Sequence, residues 1–375
     1  MLSTSFLLLD TATYEWRKDS PGDISKEIKE FFTTATFFDR PNVFYRGLDD
    51  TTKKWVALMS MAGVEETREM LCQKWNHSFP HLYASKGPFS QVQAAPKMPV
   101  LKAYSQFLKD IEKLNKIRKA KAKLHQFNKD FNHAAELYRH SPAIRAKDGS
   151  TSTSGDASAS TTESSSSSSG SGSPSVPAMW FVSVDIESYE MDHSKILEIG
   201  WSIWDSGLNV FQDKHYAVQE YRHLKNGRWV ADRRDRFMFG ETLWAPLKEC
   251  AMTFQDDLEK AARYNDQGQY ALIAHDMGSD EKYLRQMGVK FPKGMIQFDT
   301  KDMNAARANS AHDSTKLETV LDQMDIENYC LHNAGNDAHY TLELFLALIR
   351  DRIANQEVSN EDSSIPVEKL NDLMI

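Results

Sequence analysis

Two stretches between residues 180 and 205 decide the fold: Trp180-Phe-Val-Ser-Val-Asp-Ile-Glu, and after a short gap Lys195-Ile-Leu-Glu-Ile-Gly-Trp-Ser-Ile-Trp-Asp. The apolar runs read as buried strands at Trp180–Asp185 and Ile196–Trp204. Side chains alternate across a strand. Asp185 and Glu187 therefore project from one face, while Ile186 between them points into the core. Packing gives no reason for two acids at the end of such a strand. Placed together they repel and desolvate badly unless a cation sits between them. Carboxylate oxygens are the ligands that Mg²⁺ and Mn²⁺ prefer.

Strand and helix signals then alternate. Lys214–Gln219 reads as a third strand, Pro246–Asp266 as a helix and Tyr270–Ala274 as a strand. Asp280–Met287 reads as a helix, Gln297–Asp299 as a short strand and Leu317–Met324 as a helix. Asp337 opens a long final helix running to Ala354. Strands first and β–α alternation afterwards predict an α/β domain over 178–355, a mixed sheet flanked by helices.

Three more residues complete a chemical set. Asp280 closes Leu272-Ile-Ala-His-Asp-Met-Gly-Ser-Asp, and His332 and Asp337 bracket His332-Asn-Ala-Gly-Asn-Asp. Both aspartates begin helices, where an N-cap role alone would explain them. Capping and metal ligation are compatible, because the helix dipole favours an acid there. His332 falls in a loop that Asn333, Gly335 and Asn336 should make pliable. With a pKa near ~6.5 it can take a proton from water around neutral pH. An Asp-x-Glu triplet alone occurs by chance in a chain of this size. Asp185, Glu187, Asp280, Asp337 and His332 together supply ligands for two divalent metal ions, Mg²⁺ or Mn²⁺, and a base for in-line displacement at phosphorus.

The order Asp-x-Glu, then His-x₄-Asp ending in Asp280, then His-x₄-Asp ending in Asp337, resembles the DEDDh branch of the RNase H-like 3′→5′ exonucleases. The Lys195–Asp205 stretch is similar to that family's second strand. Position 333 is Asn rather than the tyrosine of the other branch. Ser279 stands where the family often has an aromatic or apolar residue, a looser fit that leaves the ligand in place. His332-Asn-Ala-Gly-Asn-Asp-Ala-His-Tyr-Thr-Leu and Arg236-Phe-Met-Phe-Gly-Glu-Thr resemble a fungal DEDDh group associated with mRNA export and RNA metabolism. The resemblance covers 178–355. It implies an RNase H-like fold, metal ligation by the four acids, His332 as general base, and release of nucleoside 5′-monophosphates. It favours RNA over DNA as substrate. The other function consistent with the sequence is an RNA-associated adaptor that uses the nuclease fold mainly for binding.

Charge is divided unevenly. The net charge of −8 excludes a wholly basic coat protein for nucleic acid. Residues 178–355 hold 20 Lys/Arg against 29 Asp/Glu, yet 222–236 concentrates Arg222, Lys225, Arg228, Arg233, Arg234 and Arg236 against Asp232 and Asp235. That loop can grip a substrate backbone or simply be solvated. Trp229, Phe237 and Phe239 can stack on bases or pack in the core.

Upstream, 1–98 reads as a small α+β region, with strands at Asn42-Val-Phe-Tyr and Trp55-Val-Ala-Leu-Met around an Asp49-Asp50 turn and a helix over Val64–Trp75. Residues 99–148 carry apolar side chains at helical spacing, including Phe107, Leu108, Ile111, Ile117, Phe127 and Phe131. They predict a long amphipathic helix, coiled-coil-like in pattern. With 12 Lys/Arg against 5 Asp/Glu in 101–150, it could carry RNA or a protein partner, or present a solvated face. Residues 149–177, nearly half serine, read as a flexible linker, and 356–375 as an acidic tail. Cys72, Cys250 and Cys330 form no CxxC pair, so neither a disulfide framework nor structural zinc is expected. No apolar run approaches the ~20 residues needed to cross a bilayer. The expectation is an intracellular protein, cytoplasmic or nuclear, with no membrane partner.

Overall fold

The computed structural model of the protein describes residues 5–18, 20–32, 40, 43–85, 87–95, 103–145, 177–312 and 315–363. The serine-rich linker, apart from Pro177, and the tail beyond 363 lie outside the described residues. The chain divides into two compact units, Met1–Ala122 and Lys123–Ile375.

In the first unit β1 (Phe6–Leu8) leads into α1 (Leu9–Lys18) and α2 (Gly22–Phe31). They are followed by β2 (Phe44–Asp49), β3 (Lys54–Ser60), α3 (Met61–Trp75) and β4 (Phe89–Ala94). The strands form one antiparallel sheet in the order β1-β3-β2-β4. The expected hairpin is present, with Asp49 opposite Lys54. The Asp49 carboxylate closes its turn by accepting the amides of Thr51 at 2.8 Å and Thr52 at 3.3 Å. α1, α2, β1 and β4 were not expected. Of these, α1, α2 and β1 contribute to the core around Trp16, Phe32, Leu71 and Phe79.

The long helix α4 spans Ala103–Arg139. Phe107 and Ile111 belong to the first unit's core, and Phe127, Phe131 and Ala134 to the second's. Leu108 and Ile117 are exposed, so the apolar stripe read from the sequence is not buried along its whole length within this chain. Lys113, Lys116, Lys119, Lys121 and Lys123 along the helix are exposed.

The second unit contains β5 (Trp180–Tyr189), β6 (Asp192–Asp205), β7 (Val210–Val218), β8 (Thr242–Ala245), α5 (Leu247–Arg263) and β9 (Tyr270–Ala274). α6 (Met277–Gln286), β10 (Met295–Asp299), α7 (Thr300–Arg307), α8 (Leu317–Gln323) and α9 (Ala334–Ser363) complete it. Its six strands order as β10-β9-β5-β6-β7-β8. β5–β6 and β6–β7 pair antiparallel, and β5–β9, β9–β10 and β7–β8 pair parallel. This is the mixed α/β sheet flanked by helices that the sequence predicts. β8 and α7 escaped the sequence reading, the first because it is only four residues long before Pro246, the second because its sequence is mostly polar.

The period-two alternation of β5 sorts the core into two layers. Val182, Val184 and Ile186 pack with Leu272, Trp201, Phe254 and Leu258, so α5 covers that face. Phe181 points the other way and packs with Phe298 and Phe345 beneath α9. Ser183 on this second face donates to the Ala338 carbonyl of α9 at 2.5 Å. Asp185 and Glu187 continue the same row, which directs both acids toward the start of α9.

Gly200 on β6 makes that approach possible. A Cβ there would lie 2.2 Å from the backbone carbon of Ala334 and from the Gly335 nitrogen. Gly335 is crowded in turn, with Phe237 and His215 occupying the space of its missing side chain at 2.6 and 2.8 Å. The two glycines let the first turn of α9 press directly onto the sheet. Cys72, Cys250 and Cys330 are unbridged, and among the described residues no helix is long and apolar enough to cross a membrane.

Candidate functional site

The five motif residues are delivered by a strand end, two helix first turns and a loop. Asp185 and Glu187 come from the end of β5. Asp280 lies in the first turn of α6, whose N-cap is Asp276 in a left-handed conformation at φ 74°. Asp337 lies in the first turn of α9, which starts at Ala334. Neither Asp280 nor Asp337 is a helix cap, contrary to the sequence expectation, because both helices begin three residues earlier. The α6 start is instead capped by Asp299 at the end of β10, which accepts the amides of Asp276 at 3.0 Å and Met277 at 2.9 Å. Asp280 and Asp337 are thereby left without a capping duty.

The side chains converge. Glu187, His332 and Asp337 each place a potential ligand atom within 4.8 Å of the others, and His332 Nδ1 lies 3.9 Å from Glu187 Oε1. Burial, and then the neighbouring charge of Glu198, push the Asp185 carboxyl up to about 7. Burial also raises Glu187, Asp280 and Asp337 well above the carboxylate range, and the field of Asp185 adds to each. Two buried oxygens of this cluster, Asp185 Oδ2 and Asp337 Oδ1, have no hydrogen-bond partner among the described residues. Leaving a buried acceptor unsatisfied costs about 1–3 kcal/mol, and more if it is charged. Clustered hard-oxygen donors with spare lone pairs fit a divalent cation. The four acids are the residues that would hold it.

His332 is presented by a strained backbone. Its φ is 65°, a left-handed conformation that costs a non-glycine residue roughly 1–2 kcal/mol. The strain is held by Asp337 Oδ2, which accepts the His332 amide at 2.9 Å. Its side chain remains 53% exposed. Partial burial, followed by the charges of Arg233 and Lys316, lowers the imidazole pKa against an opposing pull from Glu318. Its ring is therefore mostly neutral and able to accept a proton at physiological pH.

The loop that carries His332 is not pliable, and the two asparagines are the reason. Both are fully buried. Asn333 donates to the Arg233 carbonyl at 2.9 Å. Asn336 donates to the carbonyls of Arg236 and Cys330 at 2.9 and 3.0 Å, and accepts the Met238 amide at 2.9 Å. They fasten the His332 loop to the 233–238 segment. Arg233 strengthens this join by donating to the Leu331 carbonyl at 2.8 Å.

Beneath the loop lies a buried pair that sequence reasoning did not single out. Glu198 Oε2 is 2.9 Å from His215 Nε2 and accepts the Ala334 amide at 3.3 Å. His215 Nδ1 meets Thr242 Oγ1 at 3.0 Å. The signal was present, since Glu198 is the one charge within the buried run Ile196–Ile203. His275, the first residue of the middle motif, is also a fastener, held by Thr300 Oγ1 and the Thr315 carbonyl at 2.9 Å each.

The basic loop divides. Arg222, Lys225, Arg228 and Arg236 are exposed, and Arg233 is half-buried beside His332. Arg234 departs from its expected role in gripping substrate. It is only 3% exposed, pairs with Asp232 at 2.6 Å, and donates to the carbonyls of Tyr221 and Leu224. Three acceptors already occupy its guanidinium, so it braces the loop from inside. Phe237 packs on His215, and Phe239 stacks on His339 at 3.5 Å. Trp229 stays outside.

Comparison with known proteins agrees with this geometry. Residues 180–348 match the family described as DNA polymerase III subunit epsilon-like, C-terminal domain, of DEDDh type. A nucleolar protein of Schizosaccharomyces pombe is 30% identical over 175 residues, covering 45% of this chain and 68% of that protein. The "Good for full DBP5 activity protein 2" of Saccharomyces cerevisiae is 30% identical over 194 residues, 44% of this chain and 34% of that protein. Another S. cerevisiae protein is 29% identical over 197 residues, 44% of this chain and 40% of its own length. The chain thus spans two thirds of the first relative and well under half of the other two. The mixed sheet, the converging acids and His332, and a relative matched over two thirds of its length lead to one assignment: the chain belongs to the DEDDh family, with the RNase H-like fold in its second unit.

Proposed function

We propose that the second unit is a metal-dependent 3′→5′ exonuclease acting on RNA or single-stranded nucleic acid and releasing nucleoside 5′-monophosphates. The observation that carries this reading is the pair of unpartnered buried oxygens, Asp185 Oδ2 and Asp337 Oδ1, within a cluster of four acids beside His332. A pure binding module would relieve such a cluster with amides or apolar groups. When bound, two divalent cations supply neutralising charge and hold the reacting phosphate. Asp185, Glu187, Asp280 and Asp337 would hold them.

The His332 ring takes the proton of the attacking water as its oxygen bonds to phosphorus, and the P–O3′ bond breaks. The nucleoside 5′-monophosphate departs, the O3′ left on the shortened strand takes a proton from solvent water to become a 3′-hydroxyl, and His332 returns its proton to solvent. The exposed members of the basic loop, Arg222, Lys225, Arg228 and Arg236, together with Arg233, meet the strand's phosphates. RNA over DNA is what the family resemblance implies; among the relatives, one is named as nucleolar and another for DBP5 activity.

The second reading is an adaptor that uses the nuclease fold mainly for binding; a relative named for promoting the activity of another protein is compatible with it. One assay separates the two. Full-length protein is incubated with 3′- and 5′-labelled single-stranded RNA and DNA in Mg²⁺, Mn²⁺ or EDTA. The nuclease reading expects metal-dependent loss from the 3′ end, abolished in the Asp185→Ala, Glu187→Ala double variant. For His332→Ala it expects a loss of roughly 10²–10⁴-fold. No metal-dependent loss, or equal loss in the double variant, leaves the adaptor reading.

A further inference from the structure

Trp229 is an exposed aromatic on a fastened loop. It is 64% exposed, although Phe237 and Phe239 of the same segment are packed away. An indole left in water forgoes the stabilisation that burying it would give. The segment presenting it is nevertheless tightly held. The Glu190 carboxylate accepts the backbone amides of Arg228 at 2.8 Å, Trp229 at 2.9 Å and Val230 at 3.3 Å. Asn226 locks the adjoining turn, accepting the Glu190 amide at 2.9 Å and donating to the Ser188 carbonyl at 3.0 Å.

Glu190 stands three residues beyond Glu187, immediately past the end of β5. The tip of the basic loop is therefore hung from the strand that carries Asp185 and Glu187. The Arg228 guanidinium lies 4.6 Å from the Trp229 ring centre, and Lys225 beside them is exposed and cationic.

We infer that Trp229 and Arg228 form a stacking platform for an unpaired base of the strand whose end lies at the carboxylate cluster, with Glu190 as the positioning residue that holds the platform in place. This deepens the nuclease reading and rests on it. Every base offers a π-face to an indole, and the guanidinium meets the adjoining phosphate, so binding is tolerant of sequence. A base within a duplex has both faces covered by its neighbours. The platform therefore selects single strands.

The test measures binding and turnover separately on the full chain. Binding of a labelled single-stranded RNA 12-mer and of its duplex is read by fluorescence anisotropy with Ca²⁺ replacing Mg²⁺; turnover is read in Mg²⁺. Trp229→Ala should weaken single-strand binding about 10–100-fold, raise KM and leave kcat at saturation unchanged. Duplex binding should not move. Trp229→Phe should restore most of the affinity. Glu190→Ala should reproduce part of the loss in KM alone, without lowering Tm by more than a few degrees. Wild-type affinity in Trp229→Ala, or equal losses in the Ala and Phe variants, would overturn the platform. Absent hydrolysis by the wild type would instead overturn the nuclease reading, and the anisotropy arms would still decide whether Trp229 stacks on a base.

Discussion

Replacing Asp185 with Asn should make the metal-free protein more stable, and the gain should depend on pH in a defined direction. The Asp185 carboxyl titrates near 7 instead of its ordinary 3.8, because burial and then the Glu198 charge disfavour ionisation. A raised acid pKa means that its stabilising contribution is complete below the unfolded value, about 4, and disappears as pH rises through about 7. At pH 8 the charged form carries a penalty of up to ~4 kcal/mol, from ~1.4 kcal/mol for each tenfold change in proton affinity. Asp185 keeps some solvent contact, and screening reduces the figure to about 2 kcal/mol. For a domain of this size that corresponds to roughly 4–8 °C in Tm. Calorimetric scans in EDTA at pH 8 and pH 5 provide the assay. Asp185→Asn should melt higher than wild type at pH 8 and by clearly less at pH 5, where the folded-state carboxyl is protonated and only about a third of the penalty has accrued. Millimolar Mg²⁺ or Mn²⁺ should raise the wild-type Tm at pH 8 and leave the variant nearly unmoved. An unchanged or lower variant Tm at pH 8 in EDTA would refute the reasoning, since the acids would then not be in mutual conflict.

Three further outcomes follow from individual contacts. Glu198→Gln weakens the hold on the Ala334 amide and on His215, so turnover should fall about 10–100-fold while single-strand affinity in Ca²⁺ stays near wild type; an unchanged rate would show that the pair does not position the His332 loop. Arg234→Ala strands Asp232 and two carbonyls in the interior, which should cost about 3–5 kcal/mol by denaturant unfolding, whereas Arg222→Ala should cost well under 1 kcal/mol. In His339, burial pulls the pKa down, but hydrogen bonds to Asp213 and Glu343 prevail and hold it at about 9. A raised histidine stabilises fully below its unfolded value near ~6.5 and loses that contribution as pH rises through about 9. His339→Gln should therefore flatten the fall in stability between pH 6.5 and 9 by on the order of 1–2 kcal/mol, and an identical pH profile would refute this.

Much of the second unit was legible because its signals are local. β5 and β9 are nearly continuous apolar runs, as strands buried on both faces must be, and α9 follows a recognisable motif. Polar α7 and short β8 lack such a signature. In the first unit the β2–β3 hairpin was readable from its turn. β1 and β4 were not, because a short strand is defined by its partner rather than by its own composition.

The sequence by itself determined the order and chemistry of the candidate site: two acids on one face of a strand, one acid in each of two helices, and a histidine five residues before the last acid. Strand period and motif spacing are properties of neighbouring residues, so a linear reading captures them. Tertiary structure decided which similar residues have different duties. Arg234 turns inward while Arg222 stays in water. Asn333 and Asn336 become fasteners by bonding to residues about a hundred positions away. Glu198 lies buried against His215, and Trp229 is left outside on a loop tied to β5. Burial and hydrogen-bond satisfaction depend on partners remote in the chain, and composition does not specify those partners.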